Sequence, residues 1–204
     1  MRAIKRVDLS EVSETEADAF RNEVQLLQRL QGNKKIIKMF DYEERLNEDG
    51  DGTELFVVME QGERDLANLL KEVSKDQELT DAKTKFYWEE MLETVDVVHQ
   101  EKIIHSDLKP ANFLIVNGTI KIIDFGIASK VDNDKTHVTK ANMMGTFNYM
   151  SPEAIRNEQE GETRVKIGVK SDVWSLGCIL YQMVYKKLPF GHIKGPIQKM
   201  MVRS

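Results

Sequence analysis

The sequence predicts an α+β chain in two parts. The first part is strands around one helix, and the second is mostly helices carrying a small hairpin. Three observations predict this. Short apolar runs at 3–7, 36–42 and 54–59 have strand length and surround one helix-capping signal. Apolar residues then recur at helical spacing from residue 66 onward. Inside that helical stretch, Asn117-Gly118 separates two apolar runs, the strongest short signal for a tight hairpin.

The elements follow in chain order. Ala3 to Val7 reads as a strand. Ser13-Glu14-Thr15-Glu16 is a capping box, in which the serine accepts from the first turn and Glu16 reaches back. The helix it starts should run to about Leu30, with Phe20, Val24 and Leu27 on one face, until Gly32 and Asn33 stop it. Ile36 to Tyr42 and Glu54 to Met59 read as two strands. The Asn47-Glu48-Asp49-Gly50-Asp51-Gly52 run between them reads as a solvated hairpin turn, because the calcium-loop ligand pattern is absent. Gln61-Gly62 marks a hinge.

Beyond the hinge, Leu66, Leu69, Leu70 and Val73 outline a short amphipathic helix. Phe86, Leu92, Val95 and Val98 outline a longer one with two apolar faces. Phe113 to Val116 and Thr119 to Ile123 form the hairpin arms. Residues 127–150 show no period and read as a long loop, a length that usually carries function or disorder. Val173 to Tyr185 is apolar nearly all round, as expected of a buried helix, with Trp174 and Gly177 as packing residues.

Composition narrows the function classes. The chain has 204 residues, 41% hydrophobic and 31% charged, which suits a globular protein. A net charge of −5 leaves no broad basic footprint for nucleic acid. No apolar run approaches the ~20 residues of a membrane helix, and no apolar signal segment opens the chain. Cys178 is the single cysteine, so no internal disulfide forms, and its apolar neighbours suggest a buried thiol. An intracellular protein is expected.

The densest chemistry lies in His105-Ser106-Asp107-Leu108-Lys109-Pro110-Ala111-Asn112 and in Asp124-Phe125-Gly126. Phosphoryl transfer from ATP needs a carboxylate to orient the attacking hydroxyl, a cation on the moving phosphate, and oxygen ligands for metal ions. Asp107 is the expected base, Lys109 the cation, and Asn112 with Asp124 the ligands of Mg2+. Gly126 permits a sharp turn after Asp124. Ala3-Ile4-Lys5 gains weight from Glu23 on the capped helix, since a Lys5–Glu23 pair would place the lysine on the α- and β-phosphates. Met59-Glu60-Gln61-Gly62 should bind adenine through the hinge backbone, with Ala3 above and Leu114 below the ring. Phe125 should pack beneath the helix that starts near Ser13.

These motifs resemble the catalytic core of protein kinases. Gly145-Thr146 and Ser151-Pro152-Glu153 close the long loop, which matches a kinase activation segment with serine in place of the usual alanine. More closely, Arg21-Asn22-Glu23, His105-Ser106-Asp107, Ala111 to Val116, Asn148 to Ile155 and Lys170 to Tyr181 resemble the monopolar spindle (TTK-type) dual-specificity kinases, over about residues 1–190. The resemblance implies a bilobal kinase-like fold, with 1–62 as N-lobe and hinge and 63–204 as C-lobe. It implies an ATP- and Mg2+-dependent enzyme acting on Ser/Thr hydroxyls, and on Tyr as well, in protein substrates. Asp172 would then accept hydrogen bonds from the catalytic-loop backbone. A mitotic spindle-checkpoint role at kinetochores, in nucleus and cytoplasm, is also implied, as is self-association for autophosphorylation at Thr136 or Thr146. Ser106 stands where most kinases carry an arginine that clamps a phosphorylated loop, which implies control that relies less on such a clamp.

Measured against that family, the expectation is a core cut at both ends. Only Met1 and Arg2 precede Ala3, so the first two strands and the glycine-rich phosphate lid are missing. The resemblance fades near Gly191, before the last helices and the arginine that would pair with Glu153. A sheet edge should be left unpaired. The alternative function is therefore an inactive kinase module that acts by protein binding. A small-molecule phosphotransferase is disfavoured by the complete activation segment.

Overall fold

The structure, a computed structural model, describes residues 1–47, 50, 52–73, 79–125, 148–154 and 168–193. It is an α+β arrangement with two small sheets. Strand β1 (Arg2–Asp8) pairs antiparallel with β3 (Thr53–Glu60), and β3 with β2 (Met39–Leu46), giving the order β1-β3-β2. Alternation along β1 turns Ala3, Lys5 and Val7 inward and leaves Arg2, Ile4 and Arg6 exposed.

Helix α1 (Glu14–Arg29) starts at the expected capping box. Ser13 Oγ accepts from the Glu16 amide at 3.3 Å, and Glu16 Oε2 accepts from the Ser13 amide at 2.9 Å. Its inner face buries Ala17, Val24 and Leu27. Ala17 and Val24 join Leu9, Leu55 and Val57 in a small core against the sheet, with Phe20 packed on its edge. Each valine or leucine side chain of this set contributes roughly 1.5–3 kcal/mol when fully buried.

The second strand departs from the expected 36–42. Ile36 and Ile37 are both buried, so they cannot alternate between faces. They leave the upper sheet and dock on the lower one: Ile36 bridges Ile122, the Ile37 amide donates to the Ile122 carbonyl at 3.0 Å, and the Ile122 amide donates to the Lys35 carbonyl at 2.9 Å. The strand proper begins at Met39 and runs on to Leu46. At its end the Asn47 amide closes onto the Gly52 carbonyl, while residues 48, 49 and 51 of the acidic turn lie outside the described residues.

After the hinge, β4 (Arg64–Asp65), β5 (Phe113–Val116) and β6 (Thr119–Ile122) form the second sheet in that order. Asn117 and Gly118 both have positive φ, at 50° and 77°, as a type I′ turn demands. Helices α2 (Leu66–Val73) and α3 (Asp81–Gln100) bury Leu66, Leu69, Leu70, Met91, Val95 and Val98 in the main core, together with Phe113, Ile120, Ile122 and Phe125. Helix α3 has one buried face and not the expected two, because Phe86 and Leu92 are exposed. Helix α4 (Val169–Tyr185) also departs from expectation. Val173, Val184 and Tyr185 are more than half exposed, whereas its buried side includes Ser171, Asp172 and Ser175. Gly177 is exposed and a Cβ there would meet nothing within 4 Å, so it is not a packing residue. Trp174 does pack, stacked on Phe190, and Cys178 is buried as expected.

Among the described residues no helix is long and apolar enough to cross a membrane. Gly126, Thr136, Gly145, Thr146 and Ile155 lie outside the described residues.

Candidate active site

The site is assembled on one carboxylate. Asp172, in the first turn of α4, is fully buried. Its Oδ2 accepts from the His105 amide at 2.9 Å and its Oδ1 from the Ser106 amide at 2.8 Å, as the resemblance implied. His99 Nε2, in the last turn of α3, lies 2.8 Å from Oδ2. Two backbone amides thus tie the loop to α4, with the His99 ring on the same carboxylate, and a buried carboxylate without such partners is costly. Ser106 sits at φ 68°, a left-handed backbone that costs an L-residue energy and persists only when its surroundings impose it. The Asp172 clamp on its amide is such a constraint.

The strained turn presents Asp107. Its Oδ2 accepts from Lys109 Nζ at 2.7 Å. Its Oδ1 is buried and has no hydrogen-bond partner among the described residues. Buried acceptors are rarely left unmatched, so this oxygen marks where an incoming donor fits. The His105 ring completes the frame. It donates from Nε2 to the Asp124 carbonyl at 2.6 Å, and its ring centroid lies 5.9 Å from that of Phe125. Pro110–Asn112 forms a single 3-10 turn, and buried Asn112 accepts the Lys109 amide through Oδ1 at 2.9 Å. Asp124 lies two residues past the end of β6.

From above, Lys5 Nζ donates to Glu23 Oε1 at 3.0 Å. The pair forms because Lys5 lies on the inner face of β1 and Glu23 on the side of α1 facing it. Burial pushes the Glu23 carboxyl above the usual carboxylate range, Lys5 opposes the shift, and the Asp124 carboxylate within hydrogen-bonding reach reinforces it. Lys5, Glu23 and Asp124 are therefore one electrostatic group. Phe125 lies in the main core cluster beside Leu27 and Leu30, which ties α1 to this end of the site.

Residues 59–62, the expected hinge, close the remaining side. Ala3 stands opposite Met59 in the ladder. A Cβ on Gly62 would lie 2.5 Å from Leu114 Cδ2 and 2.8 Å from the Ile115 carbonyl oxygen, so only glycine lets the hinge cross this close above β5. Gln61 is exposed. The Glu60 amide donates to the Lys38 carbonyl at 2.8 Å. Its carboxylate accepts from the Lys38 amide at 2.7 Å and pairs with Lys121 of β6.

The structure thus brings together Lys5, Glu23 and Asp124, and separately Asp107, Lys109 and Asn112, with Ala3, Met59, Glu60, Gly62 and Leu114 at the hinge side. Two residues that hold the site escaped the sequence reading. Lys121 alternates with Ile120 and Ile122 and so reads as a plain solvated position. His99 follows buried Val98 at a helix end, with no motif around it. Among the described residues no three His, Cys, Asp or Glu groups converge as a closed metal cage. One carboxylate, Asp124, and one amide, Asn112, are oxygen donors of the kind that suit Mg2+, which keeps waters and substrate phosphates as its other ligands.

The Protein kinase domain family matches residues 1–204. The chain is 49% identical over 197 residues to the serine/threonine-protein kinase mph1 of Schizosaccharomyces pombe, covering 94% of this chain and 28% of that protein. It is 43% identical over 205 residues to the dual specificity protein kinase TTK of Mus musculus, covering 98% and 23%. With the serine/threonine-protein kinase MPS1 of Saccharomyces cerevisiae the identity is 42% over 202 residues, covering 95% and 25%. The chain therefore spans about a quarter of the length of these relatives. Clamped loop, lysine–glutamate pair and glycine hinge agree with the match, and the chain belongs to the protein kinase domain family.

Proposed function

We propose that the protein transfers the γ-phosphate of ATP to serine and threonine hydroxyls of protein substrates, with tyrosine as a further acceptor. The observation that carries this reading is the split state of Asp107: one oxygen is fixed by Lys109 and the other is buried and unmatched. A substrate hydroxyl that donates to Oδ1 is oriented for in-line attack on phosphorus. As the new oxygen–phosphorus bond forms, the bond to the β-phosphate oxygen breaks, ADP departs, and the hydroxyl proton passes to Asp107. Lys109, already beside Asp107, offsets charge on the transferring group.

Asn112 and Asp124 would hold Mg2+, which neutralises charge developing on the phosphates. Lys5, oriented by Glu23, would hold the α- and β-phosphates. The hinge backbone at Glu60 to Gly62 would bind the purine between Ala3 and Leu114, with Met59 bounding the pocket. In this reading residues 1–62 act as the upper lobe and hinge, and 63–204 as the lower lobe.

The names of the relatives support a serine/threonine and dual-specificity activity. The resemblance to monopolar spindle kinases supports an intracellular mitotic role at kinetochores, and autophosphorylation in trans at Thr136 or Thr146. The test is transfer of label from ATP to a generic basic protein by the purified protein beside its Asp124→Asn variant. Transfer by the parent alone is expected. Equal transfer by the variant removes Asp124 from the metal site, and no transfer by either folded protein favours a binding module.

A further inference from the structure

We infer that a buried polar stripe on α4, and the Ser151–Ser171 hydroxyl pair in particular, is a positioning device that sets the acceptor side of the site against Asp107. The inference rests on the kinase reading above, in which residues 148–154 end the segment that receives the protein substrate.

Helix α4 carries Ser171, Ser175 and Gln182 at offsets of four and eleven, one face of a helix. Each of them grips the segment 149–151. Ser175 Oγ donates to the Tyr149 carbonyl at 2.8 Å. The Tyr149 hydroxyl donates to Gln182 Oε1 at 2.7 Å. Ser151 Oγ and Ser171 Oγ lie 2.7 Å apart, and Ser151 Oγ also accepts from the Ala154 amide at 3.3 Å, so it caps the helical turn at 152–154. Ser151, Ser171 and Ser175 are each at most 2% exposed, so water does not substitute for these partners.

A packing role would be met by small apolar side chains. Buried hydroxyls are retained at a desolvation cost and favour the register in which they find partners, because leaving them unmatched is costly; Ser175 Oγ also reaches the Ser171 carbonyl of its own helix at 3.2 Å. Ser171 is followed by Asp172, which holds the His105 and Ser106 amides. Two adjacent residues of one helical turn therefore fix both the segment 149–151 and the loop that presents Asp107. The offset between them is set by a helix and not by the chain that joins them. A shift of about 1 Å in such an offset costs up to about a hundredfold in rate. The serine at 151, where the alanine of the kinase pattern would donate nothing, is what completes the pair.

The hydroxyls act as a unit, and this makes the inference testable. Ser151→Ala leaves Ser171 Oγ without its partner, Ser171→Ala does the reverse, and the double variant removes both. In the full-length protein, each single variant is expected to raise the KM for a serine peptide about tenfold while the KM for ATP stays unmoved. The double variant is expected to match either single one rather than reach the hundredfold of two independent losses. Additive effects, or peptide and ATP constants rising together, overturn the inference. Should the parent transfer no phosphate, the kinase reading fails by itself, and amide exchange over 149–154 in the same four proteins decides. Exchange about tenfold faster in each single variant, and no faster in the double variant than in either single one, supports the pair, and equal protection in all four overturns it.

Discussion

Lys5 Nζ meets Glu23 Oε1 at 3.0 Å across the gap between β1 and α1, with the lysine side chain about a third exposed and the glutamate nearly buried. The lysine also lies 5.8 Å from the centroid of the Phe20 ring, so its ammonium is held by two residues one turn apart on the same helix face. A group held this way is oriented before a ligand arrives, which lowers the ordering cost of binding. In the proposed reading, Lys5→Ala removes a charge-assisted contact to phosphate worth about 1.5–3 kcal/mol. Isothermal titration should show nucleotide affinity falling by roughly 10–100-fold. Unchanged affinity would remove Lys5 from the site.

Gly62 crosses β5 closer than any side chain allows. A methyl group at this position meets Leu114 Cδ2 at 2.5 Å and the Ile115 carbonyl oxygen at 2.8 Å. The leucine can turn aside and the carbonyl cannot. Gly62→Ala should therefore destabilise the fold by about 1–3 kcal/mol, the usual cost of overpacking, and weaken nucleotide binding at the hinge. Adding Leu114→Ala relieves one of the two clashes, so urea unfolding should show part of the Gly62→Ala loss removed in the double variant. Strict additivity of the two losses would show that the contact is not the cause.

Much of the site was legible because it is coded locally. Asp107, Lys109 and Asn112 fall within one loop, and Asp124 ends a hairpin whose turn residues declare themselves. The capping box announced α1, and Glu23 on that helix announced its partner. What stayed hidden depends on tertiary choice. Ile36 and Ile37 carry strand propensity, yet burial against Ile122 outweighed pairing with β3. Periodicity told that α3 and α4 have apolar positions, but not which of them another element covers. His99 and Lys121 hold the site through partners 73 and 61 residues away, a distance at which spacing carries no signal.

Asp172 accepts from two backbone amides and faces an imidazole in a fully buried setting. Asp172→Ala leaves those donors unmatched and frees the left-handed turn at Ser106. Breaking a buried charged network by removing one member costs about 3–5 kcal/mol. For a chain of this size each kcal/mol moves the thermal midpoint by about 2–4 °C. Calorimetry should therefore record a fall of roughly 6–20 °C. A fall of a degree or two would mean that the loop holds its shape without the carboxylate.

Tyr149 supplies a pH-dependent signature of the same region. Burial pushes its phenol up to about 12 from an ordinary value of 10.0; Cys178 adds to the shift, and the bond to Gln182 opposes it. The folded chain thus keeps this proton over a range where the unfolded chain has lost it. The stabilisation is complete below 10.0 and is lost as pH rises through about 12. Its size is on the order of 3 kcal/mol, since each unit of pKa is worth about 1.4 kcal/mol. Tyrosinate absorbance should show a late ionisation step, and that step should vanish in Tyr149→Phe. In urea unfolding, the variant should lose less stability than the parent between pH 10 and 12. Identical slopes for the two proteins would place Tyr149 in contact with water.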